Sequence, residues 1–150
     1  MLALTKKTGY GLIALTHLAR QEDEGLCSAR EIAEEYGVPL SLLMNVLKEL
    51  AAKGLVESVR GARGGYRLSC DPREVTLAQL VETLEGPIRL AECVTGEVNQ
   101  ESAICRVMQK CPIADPVHRV QRKICDFLSG VSLAEIACPT AAEAPAAAEV

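Results

Sequence analysis

Aromatic side chains are scarce in this chain: tryptophan is absent, phenylalanine occurs once and tyrosine three times in 150 residues. Its core must therefore be aliphatic, and with 49% of residues apolar there is enough material to build one. Also missing is any apolar run near the roughly 20 residues that cross a bilayer as a helix. The N-terminus, with Lys6 and Lys7 ahead of an amphipathic segment, lacks a signal-peptide cleavage pattern. These absences lead us to expect a cytoplasmic protein, most simply one domain. Seven cysteines are many for a reducing compartment and odd in number, so a disulfide framework is a poor account of them. Metal or redox chemistry is a better use for some. No acid–base pair or nucleophile constellation emerges from the sequence, which argues against an enzyme or an electron carrier.

The most informative stretch runs from Lys53 to Leu68. Residues 55–59 alternate with period two and include β-branched side chains, residues 66–68 resume that character, and Gly61, Gly64 and Gly65 between them permit positive φ. The stretch reads as a β-hairpin whose tip carries Arg60 and Arg63. An apolar helical pattern ends just before it, at Gly54. A helix, a short stop and a two-stranded cationic ribbon make a winged helix, in which the helix enters a DNA groove and the wing touches the backbone beside it. The net charge of −4 alone argues against nucleic acid, but its distribution matters more. Between Lys48 and Arg73 stand six basic residues against three acidic ones. A merely solvated basic face remains the alternative reading of that window.

Upstream, residues 4–19 form a helix apolar on more than one side, which suits a dimer, with His17 as a packed residue. Ser28 and Glu31 have capping-box spacing and open a helix over 29–36, which Gly37 ends. Leu40, Leu43, Leu47 and Leu50 then recur at three and four, giving a second short helix and completing a helix-turn-helix. Its outward positions are Ser41, Met44, Asn45 and Lys48, with Leu42 on the flank, groups suited to base edges and phosphates or to an ordinary solvent face. Downstream, Thr76 and Gln79 cap a further helix that Gly86-Pro87 stops. Val117, Val120, Ile124, Phe127 and Leu128 mark a helix over 116–128 with few partners in its own chain, so a second subunit is the natural place to bury it. Ser132 caps a short last turn.

Residues 92–112 have no sustained period and carry Cys93, Cys105 and Cys111. Thiolates gathered from a loop suit zinc or an iron–sulfur cluster, and three unrelated cysteines are the alternative. Cys27, Cys70, Cys125 and Cys138 stand alone and read as packing or incidental residues. The fold class is mainly α with a small β-hairpin. It divides into a winged helix-turn-helix DNA-binding region over 1–75, a cysteine loop with dimerisation helices over 76–137, and a disordered tail over 138–150.

Several of these runs carry a resemblance. The Leu4-Thr5-Lys6 start, the run from Val59 through Arg60-Gly61-Ala62-Arg63-Gly64-Gly65 to Leu68, the Leu84-Glu85-Gly86-Pro87 turn and the later cysteines resemble the Rrf2 family of bacterial transcription regulators. The IscR/NsrR-like members, and the branch that controls SUF-type iron–sulfur assembly operons, are the nearest in pattern. The resemblance covers about residues 1–137. It implies a homodimeric regulator bound to a double-stranded DNA operator, sensing iron–sulfur status or redox or nitric-oxide stress. Cys93, Cys105 and Cys111 take the positions of the ligands to a 2Fe-2S or 4Fe-4S cluster. Ser41, Asn45 and Lys48 would read the major groove, Arg60 and Arg63 the flanking groove or phosphates, and Thr5 and Lys6 the backbone. The fourth ligand is open: Ala114 stands where some members place a histidine and Gly9 near where others place an acid; Asp115, His118 and Glu92 are candidates, as are a ligand from the other subunit and a small molecule. A cluster-free or zinc or thiol-switch repressor of the same family is the alternative.

Overall fold

A computed structural model of the chain describes residues 5–21, 25–61, 63–91 and 110–138. In order these form helices α1 (Lys6–Arg20), α2 (Ala29–Tyr36) and α3 (Leu40–Ala52), the antiparallel strands β1 (Val56–Val59) and β2 (Gly65–Leu68), and helices α4 (Leu77–Glu85), α5 (Ala114–Gly130) and α6 (Leu133–Ala137). The fold is thus mainly helical with one two-stranded hairpin, paired Val56 with Leu68 through Val59 with Gly65.

Local chemistry explains most of the helix ends. Ser28 Oγ accepts from Glu31 N while the Glu31 carboxylate accepts from Ser28 N at 2.7 Å, and Thr76 and Gln79 repeat the reciprocal arrangement at the start of α4. At the end of α2, Gly37 adopts φ 64°, a left-handed conformation that costs glycine little. Longer than its sequence pattern, α5 begins at Ala114 and ends at Gly130. Pro116 lies in its first turn, where the missing N–H had no intrahelical acceptor, so the helix starts ahead of the proline.

Aliphatic side chains dominate the main core, as the shortage of aromatics requires. Leu15 of α1, Ile32 of α2 and Leu43, Leu47 and Leu50 of α3 are fully buried, with Leu80 and Leu84 of α4, Val56 of β1 and Leu133 of α6 packed among them. A second cluster joins the other side of α4, through Ala78 and Val81, to Ile88 and to Ile124 and Leu128 of α5. Helix α4 is therefore the shared wall between the helix-turn-helix and α5.

Candidate nucleic-acid interface and cysteine segment

The second helix of the helix-turn-helix presents two opposite faces. Leu43, Val46, Leu47 and Leu50 are buried, whereas Ser41, Leu42, Met44, Asn45 and Lys48 are exposed, with Leu42 at 49% and Met44 at 38%. Ser41, Asn45 and Lys48 recur at four and three residues, so they lie along one stripe of α3. Its start has no side-chain cap; the Pro39 carbonyl instead accepts from Leu42 N at 3.1 Å and Leu43 N at 3.0 Å.

The wing follows directly. Of the three glycines that permit positive φ here, Gly61 uses it, at φ 132°, while Gly64 and Gly65 do not. Close approach is what requires Gly65: a Cβ there would stand 2.7 Å from the Cys27 carbonyl oxygen. At that point Tyr66 N donates to Cys27 O at 2.8 Å and Cys27 N donates to Tyr66 O at 3.1 Å, pinning the wing to the entry of α2. Cys27 is thus a structural residue and not an incidental one. Arg60 and Arg63 are exposed, and like Lys6 and Lys48 they form no ion pair among the described residues. Arg67 differs, because its guanidinium pairs across the strands with Glu57 at 2.9 Å.

Lys6 is exposed in the first turn of α1. The Thr5 hydroxyl is more committed: it accepts from Lys7 N and Thr8 N and donates to Glu85. A hydroxyl has one hydrogen to give, and Thr5 gives it to Glu85 while capping the start of α1, so it has none left to donate to a phosphate.

His17 is buried, as its apolar surroundings predict. Nδ1 lies 3.2 Å from the Tyr36 hydroxyl, and Nε2 lies 3.2 Å from Cys27 Sγ and 3.1 Å from Gln21 Nε2. Burial, together with the Glu31 carboxylate 3.7 Å away, pushes the Cys27 thiol up to about 11. A thiolate is the reactive form, so this cysteine is chemically quiet at neutral pH. Cys138 is exposed. Iodoacetamide at pH 8 should therefore label Cys138 quickly and Cys27 last of the two, as peptide mass mapping would show. Raising a thiol's pKa on folding favours the protonated native state. The stability so contributed is complete below pH 9 and is lost as pH climbs toward about 11.

Of the expected cluster ligands, Cys111 is half-buried just ahead of α5, whose Ala114 N reaches the Cys111 carbonyl at 3.4 Å. Cys93, Cys105 and Glu92 lie outside the described residues, as do residues 139–150 of the expected tail. Asp115 is exposed in the first turn of α5 and His118 is half-buried one turn further. Gly9 faces open space, with nothing within 4 Å of where its Cβ would be. Among the described residues no group of three or more His, Cys, Asp or Glu side chains is placed to hold a metal ion. A groove of about 840 Å³ is lined by Leu18, Gln21, Val56, Glu57, Arg67 and Pro72 among others, and includes none of the expected site residues.

A family described as "Iron-dependent Transcriptional regulator", Rrf2, matches residues 4–139. The chain belongs to the Rrf2 family of transcriptional regulators. This Rrf2 protein is 32% identical over 115 residues to the HTH-type transcriptional regulator NsrR of Shouchella clausii, covering 77% of the chain and 74% of the relative. It is 30% identical over 133 residues to the HTH-type transcriptional regulator IscR of Aliivibrio salmonicida, covering 89% and 76%. In fold it matches CymR, the global cysteine regulator of B. subtilis, with a TM-score of 0.73 and 28% identity over 93% of this chain and 99% of that one. The hairpin of this Rrf2 protein is accordingly the wing of a winged helix-turn-helix. Among its described residues no helix is long and apolar enough to cross a membrane.

Proposed function

We propose that the chain is a homodimeric regulator that binds a double-stranded DNA operator and senses iron–sulfur status, or redox or nitric-oxide stress, through an iron–sulfur cluster ligated by Cys93, Cys105 and Cys111. The genes it controls on this reading are those of iron–sulfur assembly. Family membership supports the DNA-binding part. The observation that carries it to particular residues is the exposed set Ser41, Asn45 and Lys48 on α3 with Arg60 and Arg63 on the wing. Short polar groups and a cation on a protruding helix suit base edges, and unpaired arginines on a ribbon suit phosphates. Lys6, placed by the Thr5 cap, adds a backbone contact at the start of α1.

The dimer reading rests on α5. Ile113 at its start, Val120 and Phe127 are 60%, 49% and 69% exposed and recur every seven residues, a single stripe with no cover among the described residues. Seven-residue spacing of apolar groups is what a second helix packs against. On this reading residues 1–75 bind DNA, 76–137 hold the cysteine loop and the dimer helices, and 138–150 form a tail.

When bound, a cluster supplies an iron centre that oxygen or nitric oxide can alter and that iron shortage removes. The chain's own part is to convert that change into geometry. Three thiolates holding one cluster would constrain the segment that joins α4 to α5; Cys111 would pass that constraint to α5, and the Gly86-Pro87 turn would pass it to α4 and so to α1 and α3. The likeness to CymR keeps a second reading in view, a cluster-free thiol or zinc switch, although the raised Cys27 pKa weighs against that residue as the reactive thiol.

Anaerobic purification with an absorption spectrum and iron and sulfide analysis separates the two. We expect visible bands with stoichiometric iron and sulfide in the wild type, lost in Cys105→Ala. A colourless, iron-free wild type that still binds DNA would leave the thiol or zinc switch.

A further inference from the structure

Glu85 is the last residue of α4, and the turn after it, Gly86-Pro87, starts the path to the cysteine segment. Its carboxylate accepts from the Thr5 hydroxyl and, at 2.7 Å, from the Thr8 hydroxyl, both in the opening turn of α1. Those two hydroxyls, with Lys7 nearby, hold the Glu85 carboxyl below the usual carboxylate range. Lys7 makes two more connections at the same junction: Nζ donates to the Leu84 carbonyl at 2.7 Å and pairs with Glu49 Oε2 of α3 at 2.7 Å. One turn along α1, Gly11 lies so close to α4 that a Cβ would stand 2.5 Å from Leu84 Cδ1. The last turn of α4 is therefore tied to the first turn of α1 and, through Lys7, to α3.

Beyond the turn the chain is tied in the other direction. Gln121, a buried polar residue of α5, donates its amide to the Ile88 carbonyl, and its Oε1 accepts from Leu90 N at 2.8 Å. Gly86-Pro87 thus separates two anchored pieces, one fixed to the DNA-facing helices and one to α5 just before the cysteines. A displacement of the second piece reaches the first through the end of α4.

We propose that Glu85 is a positioning residue that couples the state of the cysteine segment to operator binding, acting through Thr5, Thr8, Lys7 and Glu49 on the placement of α1 and α3. The proposal rests on the ligand-responsive reading of this regulator and assigns the route within it. Glu85 sets the orientation of the Thr5 cap, and with it the start of α1 beside Lys6; Lys7 carries the same constraint to α3. If the contacts were only structural, their loss would lower stability without changing how far the two ligand states differ in DNA affinity.

The test uses the full chain, purified anaerobically, with an operator obtained by in-vitro selection. Iron and sulfide are measured, and operator Kd is determined before and after iron removal by a chelator. We expect the two wild-type values to differ at least about fivefold, the lower end of ordinary allosteric coupling. In Glu85→Ala, cluster content should stay at the wild-type level while the two Kd values come within about twofold of each other. Glu85→Gln, which still accepts from a threonine hydroxyl, should restore much of the difference, and Lys7→Met should reduce it. Where the alanine variant fails to fold, Thr8→Val removes one hydroxyl at nearly constant shape and should narrow the ratio likewise. A full wild-type ratio in Glu85→Ala with normal iron content overturns the coupling proposal and leaves the sensing function standing. A wild type without iron, whose Kd ignores the chelator, overturns the sensing reading and this proposal with it.

Discussion

Alanine at both Arg60 and Arg63 weakens operator binding on the order of a hundredfold at moderate salt, given what charge-assisted hydrogen bonds to phosphate contribute. It also flattens the salt dependence. Each phosphate neutralised contributes about 0.9 to the slope of log K against log salt, so two arginines on each subunit of a dimer account for about 3.6. Fluorescence anisotropy on a labelled operator at several salt concentrations reads both effects. Arg67→Ala is the internal control. That guanidinium is already paired with Glu57 at 2.9 Å, so its loss leaves the slope close to that of the wild type. An unchanged slope in the Arg60/Arg63 variant would remove the wing from the interface.

If α5 pairs two copies as proposed, aspartate at Phe127 should separate the subunits. The ring is 69% exposed on one protomer, so a charge there costs the isolated chain little. In a symmetric pair the same substitution would bury two unpaired carboxylates at the interface, at a cost on the order of several kcal/mol per charge. Light scattering should then report a single 16.0 kDa chain. Operator affinity should fall about a hundredfold or more, because two half-sites on one assembly no longer reinforce each other. A Phe127→Asp protein that stays dimeric would place the interface elsewhere.

What could be read from the sequence and what could not divides by range. The Ser28/Glu31 and Thr76/Gln79 capping boxes close within three residues, and both are present with their reciprocal hydrogen bonds. The polar stripe Ser41, Asn45 and Lys48 follows from helical period and is exposed as that period requires. Val46 was not in the apolar stripe read from leucines alone, yet it is 2% exposed. Its burial depends on α1, where Gly11 leaves room for a neighbour whose Cγ1 would be 3.6 Å from an added Cβ. Long-range contacts left no local mark. Nothing in the sequence links Cys27 with Tyr66, or Thr5 and Thr8 with Glu85, since each pair is distant in the chain and forms no local pattern. The pairing of Arg67 with Glu57 was equally hidden, and it removes one cation from the basic window that suggested DNA.

The central claim is that the ligand state of the cysteine segment controls DNA affinity. Its most direct test is operator Kd for one anaerobic preparation, measured before and after iron is removed, with iron and sulfide assayed in the same samples. The account predicts a change of at least about fivefold. Equal affinities, with iron demonstrably present and then absent, would contradict it.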